Sequence, residues 1–137
     1  MNMLFHDIFD AEILQGDTIA NPLHVENGEL KRFDIVIANP PFSANYSDIK
    51  NYRDRFHYWM PKKKKADFMF VQHMVSVLKD NGRMAVVMPH GVLFRGSEEK
   101  SMRQWLVERG YLEAVVGLPS GLFYGTGIPA SVLIINK

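Results

Sequence analysis

Asn39-Pro40-Pro41-Phe42 is the run in this sequence best equipped for chemistry. The Asn39 side chain and the Pro40 backbone carbonyl are hydrogen-bond acceptors, and the Phe42 ring is a flat apolar surface. A neutral amino group conjugated to a ring needs both: acceptors for its two N–H bonds and a face to fix the ring. Pro40 and Pro41 stiffen the turn, so the acceptors stand prearranged. The four residues therefore read as a site for amino methylation. They close the apolar run Phe33-Asp34-Ile35-Val36-Ile37-Ala38, which reads as a buried strand. Open α/β sheets bind ligands outside the carboxyl ends of their strands, and this strand delivers the four residues there.

The elements around that strand follow from periodicity. Met1, Leu4, Phe5 and Ile8 have helical spacing without a starting cap. Residues 13–17 form a short strand candidate, 20–32 a loop with Asn-Pro and Asn-Gly turn signals. A long irregular stretch from 43 to about 65 carries Tyr46, Tyr52, Phe56, Tyr58 and Trp59, aromatics suited to covering a partner or another part of the protein. Asp67 caps a helix running to about 79, with Val71, Met74, Val75 and Leu78 on one face and Asn81-Gly82 at its end. Residues 84–88 are continuously apolar, as in a strand covered on both faces. Ser97 starts a second helix, with Met102, Trp105 and Leu106 inward and Gly110 after its end. Strands at 113–118 and 131–135 flank a loop rich in glycine and aromatics. Strands alternating with helices mean a mainly parallel sheet, and the last strand, reached without a helix, returns antiparallel.

Composition narrows the classes. The 137 residues are 47% hydrophobic and 23% charged, enough for one core and too few for two. A net charge of +1 advertises no global affinity for nucleic acid, so DNA contact rests on local patches or a partner. The four lysines at 62–65 read as a solvated run that can reach phosphates. With no cysteine, disulfides, thiolate metal sites and cysteine nucleophiles are excluded. His6, His24, His57, His73 and His90 show no metal-ligand spacing, so no metal is expected. No apolar stretch reaches the ~20 residues of a membrane span, and the expected location is the cytoplasm.

Residues 33–42 resemble the catalytic motif of N6-adenine DNA methyltransferases. Lys65-Ala66-Asp67-Phe68, Met88-Pro89-His90-Gly91-Val92-Leu93-Phe94-Arg95-Gly96 and Leu118-Pro119-Ser120-Gly121-Leu122-Phe123-Tyr124-Gly125-Thr126-Gly127 narrow the likeness. In this order the segments are similar to the methylation (modification) subunit of prokaryotic type I restriction–modification systems, over nearly the whole chain. The resemblance implies an α/β fold: a partial Rossmann-like S-adenosylmethionine-dependent methyltransferase sheet, mostly parallel with an antiparallel last strand, lacking its first strands. The family's glycine-bearing cofactor loop has no match here. Only Asp17, in Gln15-Gly16-Asp17-Thr18, stands where the family has an acidic residue near the cofactor's adenine. On this reading residues 1–137 are the C-terminal part of a single catalytic domain, from a short gene or a deliberately cut piece, and inactive alone.

The site residues implied are Asn39, Pro40, Pro41 and Phe42 as catalytic, Asp17 and Asn39 toward S-adenosylmethionine, and Phe42 and Phe123 against the target adenine. That base is flipped from the duplex at a cost of a few kcal/mol, which stacking of roughly 1–3 kcal/mol offsets. The partners implied are DNA and the specificity and restriction subunits of a type I complex. Uncovered strand edges near 13–17 and 33–38 add self-association. Asn-Pro-Pro-aromatic also serves protein-glutamine and RNA-base N-methyltransferases, and a non-catalytic remnant is a further alternative.

Overall fold

The computed structural model describes residues 2–56, 60, 65–96 and 98–137. In chain order the elements are α1 (Asn2–Phe5), β1 (Val25–Glu26), β2 (Glu29–Leu30), β3 (Phe33–Ala38), a 3-10 turn (Arg53–Phe56) and α2 (Asp67–Ser76). Then come β4 (Leu78–Pro89), a second 3-10 turn (His90–Leu93), α3 (Glu98–Glu108), β5 (Leu112–Gly117) and β6 (Ala130–Asn136). The main sheet has the order β3-β4-β6-β5. β3 and β4 are parallel, and β6 lies antiparallel between β4 and β5. Three strands thus point one way and the last opposes them, as expected. A parallel link needs a crossover, and α2 provides it.

Side chains alternate along β4, so Met84, Val86 and Met88 share one face. That face, with Leu133 and Ile135 of β6, packs beneath Phe68, Val71 and Val75 of α2 and Met102 and Leu106 of α3. Truncating one of these to alanine costs about 2–5 kcal/mol. Trp105 lies half-buried at the margin, edge-on to Tyr111. The opposite face is open. Ile35 and Ile37 are 71% and 77% exposed, beside half-buried Ala85, Val87, Val132 and Ile134. β3 is therefore not buried, and β4 is not covered on both faces. Both helices pack on one side of the sheet, and β3 is an edge strand. An apolar run records that two faces suit burial, not that two layers are at hand.

Other expectations shift for similar reasons. Residues 13–17 form no strand: no described segment pairs with them, and Ile13 is 69% exposed. The 20–32 loop contains the β1–β2 hairpin, turned by Asn27 (φ 53) and Gly28 (φ 82). Both central residues have positive φ, the condition that Asn-Gly meets most readily. The helical spacing near the N-terminus yields only the four residues of α1. α2 stops at Ser76, because the chain leaves it for the sheet: the Phe33 amide donates to the Val77 carbonyl at 2.8 Å. Residues 79–82 then bulge within β4, where the ladder register slips, and Asn81 takes φ 62. The Asn81 amide donates to the Lys137 carbonyl at 2.8 Å. Tyr46 and Phe56 sink into a second cluster with Ile19, Ala66 and Met69, so these aromatics cover the chain's own structure. His57, Tyr58, Trp59, Lys62, Lys63, Lys64 and Ser97 lie outside the described residues.

A buried cation fastens that second cluster. Arg55 is 5% exposed. Its guanidinium donates to the carbonyls of Tyr52 at 3.1 Å, Thr18 at 2.9 Å and Ile19, and to His73 Nδ1 at 2.6 Å. A donor on Nδ1 requires a neutral imidazole. Burial, then the charges of Arg55 and His24, push His73 down to about 3. An unfolded imidazole titrates near pH ~6.5. Between there and about 3 the unfolded chain takes a proton that the folded chain refuses, so stability falls as pH drops through that window. Urea midpoints at neutral and acidic pH should show a shallower acid loss in His73→Gln than in the parent. Identical slopes would mean that His73 is not held neutral.

Candidate active site

β3 ends where its sequence forbids continuation. Pro40 and Pro41 have no N–H for the ladder, and a residue preceding proline is biased to extended geometry. Asn39 is thus the first residue beyond the strand and exposed, Pro40 is buried, and Phe42 is half-buried. The last ladder pair, Ala38 with Val86, sets Asn39 beside Val87, two residues before β4 ends at Pro89.

The β5–β6 loop comes to the same end of the sheet. Its base is closed by the Leu118 amide donating to the Ala130 carbonyl at 2.9 Å, and the His90 amide donating to the Pro129 carbonyl at 2.8 Å. Gly121 (φ 74) and Gly125 (φ 78) supply left-handed turns on either side of Phe123. The Phe123 ring meets Phe42 edge-to-face, with centroids 5.8 Å apart and planes at 79°. A cleft of about 450 Å³ opens there, lined by Asn39, Pro40, Pro41, Phe42, Phe123, Tyr124, Thr126 and Ile128. That size lies within the ~300–1,000 Å³ of small-molecule sites. A second cleft, of about 380 Å³ on the open face, is lined by Ile37, Ala38, Asn39, Ala85, Val87 and Val132. Asn39 borders both.

The structure thus gathers Asn39, Pro40, Pro41, Phe42 and Phe123 around one space. It does not bring Asp17 to either cleft. Asp17 Oδ1 instead accepts the amides of Ile19 at 3.0 Å and Ala20 at 2.9 Å, ordering the turn it precedes, and its charge acts on the buried Arg55. Sequence reasoning passed over Tyr124, Thr126 and Ile128, which complete the lining. The dense Phe-Tyr-Gly-Thr-Gly-Ile run was the available signal, since glycines let aromatics approach a ligand closely. Among the described residues no group of His, Asp and Glu could hold a metal ion, and no helix is long and apolar enough to cross a membrane.

The set can therefore accept two N–H bonds and hold a planar ring against an aromatic wall, next to a second apolar cleft. Comparisons with known proteins agree with that chemistry. The family model for N-6 DNA methylases matches residues 1–137. The methylase subunit of the type I restriction enzyme MpnII from Mycoplasma pneumoniae is 32% identical, over all of this chain and 27% of its own length. That of EcoKI from Escherichia coli K12 is 36% identical, over all of this chain and 25% of its own. A crystal structure of a type I restriction-modification methyltransferase subunit from Streptococcus thermophilus superposes with TM-score 0.85 at 40% identity. The match covers 99% of this chain and 30% of that one. The chain spans about a quarter of the length of the curated relatives it matches. By sequence and by fold, a partial Rossmann-like methyltransferase sheet, this chain belongs to the N-6 DNA methylase family.

Proposed function

We propose that this chain holds the target base in an S-adenosylmethionine-dependent DNA adenine-N6 methyltransferase, as the C-terminal part of its single catalytic domain. The whole protein would be the modification subunit of a type I enzyme, acting on DNA with specificity and restriction subunits in a prokaryotic cytoplasm. The observation that carries this is the shared cleft: Asn39 and Phe42 face it together with Phe123. The names of the relatives favour DNA over a protein glutamine or an RNA base.

The exocyclic nitrogen of adenine is a poor nucleophile, because its lone pair is delocalised into the ring. The Asn39 side-chain oxygen and the Pro40 carbonyl would accept its two hydrogens and favour a more tetrahedral nitrogen. Its lone pair then points into the gap between the two clefts that Asn39 borders. S-adenosylmethionine, when bound, supplies the electrophilic methyl group. The cationic product loses its proton readily, so no base with a shifted pKa is required. Placement and prearranged dipoles carry the acceleration. Phe42 would stack on the base, and Phe123, nearly perpendicular to it, would wall the site. Asn39 fits a place beside the cofactor. For Asp17, which lines neither cleft, a cofactor role rests on the resemblance alone.

In a full-length subunit carrying this segment, Asn39→Ala should lower methyl transfer by about 10²–10³-fold, the scale for loss of one prearranged dipole. Phe42→Ala should lower it by the equivalent of roughly 1–3 kcal/mol of stacking while leaving the melting temperature nearly unchanged. Turnover retained in Asn39→Ala would remove that residue from the mechanism. Mass spectrometry of digested DNA should find N6-methyladenine, and a modified protein or RNA instead would redirect the reading. Calorimetry should show S-adenosylmethionine binding to the full-length subunit and far weaker binding to the 137-residue chain.

The bare edge of β3 and the exposed Ile35 and Ile37 also favour pairing with a second copy of the chain. Light scattering should show association rising with concentration and reduced in Ile37→Lys. A monomer at every concentration would refute it.

A further inference from the structure

Two segments of the family resemblance, Lys65-Ala66-Asp67-Phe68 and the stretch ending in Arg95-Gly96, meet at the loop that follows Phe42. Asp67 opens α2 and is 2% exposed. It does not cap the helix as its position suggests: the capping position is Ala66, and no side chain bonds there. Its carboxylate reaches away. Oδ1 accepts the Ser43 amide at 2.8 Å, and Oδ2 accepts from Arg95 Nη2 at 3.1 Å.

Ser43 directly follows Phe42 and sits at φ 53. A side-chain-bearing residue in that region is strained, and persists only where its surroundings impose it. Here they do. Lys65 Nζ donates to the Ser43 carbonyl at 3.0 Å, and the Ala66 amide donates to the Ala44 carbonyl at 2.9 Å. Both backbone polar groups of Ser43 are thus tied to residues 65–67. Arg95 is itself anchored: Glu99 pairs with it at 3.1 Å, and its carbonyl accepts from Arg103 at 2.7 Å. Gly91 leaves it room, since a Cβ there would stand 3.1 Å from Arg95 Nε. The loops after β3 and β4 are joined through one buried carboxylate.

We propose that Asp67, steadied by Arg95, is a positioning residue of the active site that sets the Phe42 ring and the Asn39 acceptor by fixing the backbone of Ser43. This rests on the reading that Asn39 and Phe42 hold the adenine. In the full-length subunit, Asp67→Ala should cut kcat by about 100-fold, the scale of a ~1 Å misplacement, with KM for S-adenosylmethionine changed far less than kcat. Asp67→Asn keeps an acceptor for the Ser43 amide and should recover most of that loss. In the 137-residue chain, Ser43 amide exchange should quicken on the order of tenfold in Asp67→Ala, while core amides such as Val86 keep their rates. Unchanged kcat in Asp67→Ala would overturn the proposal, as would equal losses in Asp67→Ala and Asp67→Asn accompanied by general loss of core protection. Should Asn39→Ala and Phe42→Ala lose turnover while Asp67→Ala keeps it, positioning fails and the site stands. Should Asn39→Ala keep turnover, the site itself fails.

Discussion

β3 meets β4 in parallel, with Val36, Ile37 and Ala38 opposite Met84, Ala85 and Val86, and most of the architecture follows from that register. It places Asn39 toward the carboxyl end of the sheet, two residues short of the level at which Pro89 leads to the second 3-10 turn. It draws Val77 and Leu78 out of α2, which ends at Ser76 for that reason. A one-residue slip would turn every side chain of β3 to the other face, placing Val36 and Ala38 outside the core they now join. The site therefore depends on a backbone ladder more than on contacts among its own residues.

Two buried charges fasten loops. Arg55 gathers the carbonyls of Tyr52, Thr18 and Ile19 against His73. Asp67 gathers Ser43 and Arg95. Unpaired, either charge would cost several kcal/mol of lost hydration. Paired with backbone groups, each holds segments that have no sheet or helix hydrogen bonds of their own. Among the described residues, the 39–56 stretch, whose regular structure is one 3-10 turn, is ordered in this way, and it begins with the loop that carries Phe42.

The two faces of the sheet differ in kind. Beneath α2 and α3 lies a packed core, while the other face shows Ile35 and Ile37 to solvent. The cleft beside Asn39 on that open face is apolar and borders the cleft that holds Phe42 and Phe123. Asn39 lines both clefts.

Local chemistry decided several features in advance. The prolines at 40 and 41 had to end β3, because they have no donor to extend the ladder. Alternating strands and helices had to give a mainly parallel sheet, and the absence of a helix between β5 and β6 turned the last strand around. The Asn-Pro-Pro-Phe run was legible as a site for the same reason: its acceptors and its ring are properties of the residues themselves. Other features were decided only by tertiary contacts. Whether residues 13–17 form a strand depends on a pairing partner, and whether β3 is buried depends on a second layer. Asn27-Gly28 signals a turn, but two-residue strands have no periodicity to read, so the β1–β2 hairpin shows only in the folded chain. Asp67 resembled a helix cap in sequence, yet folding brings Ser43 and Arg95 to its carboxylate from 24 and 28 residues away. Residue types state which bonds a chain can make, and only the folded path states which partners arrive to make them.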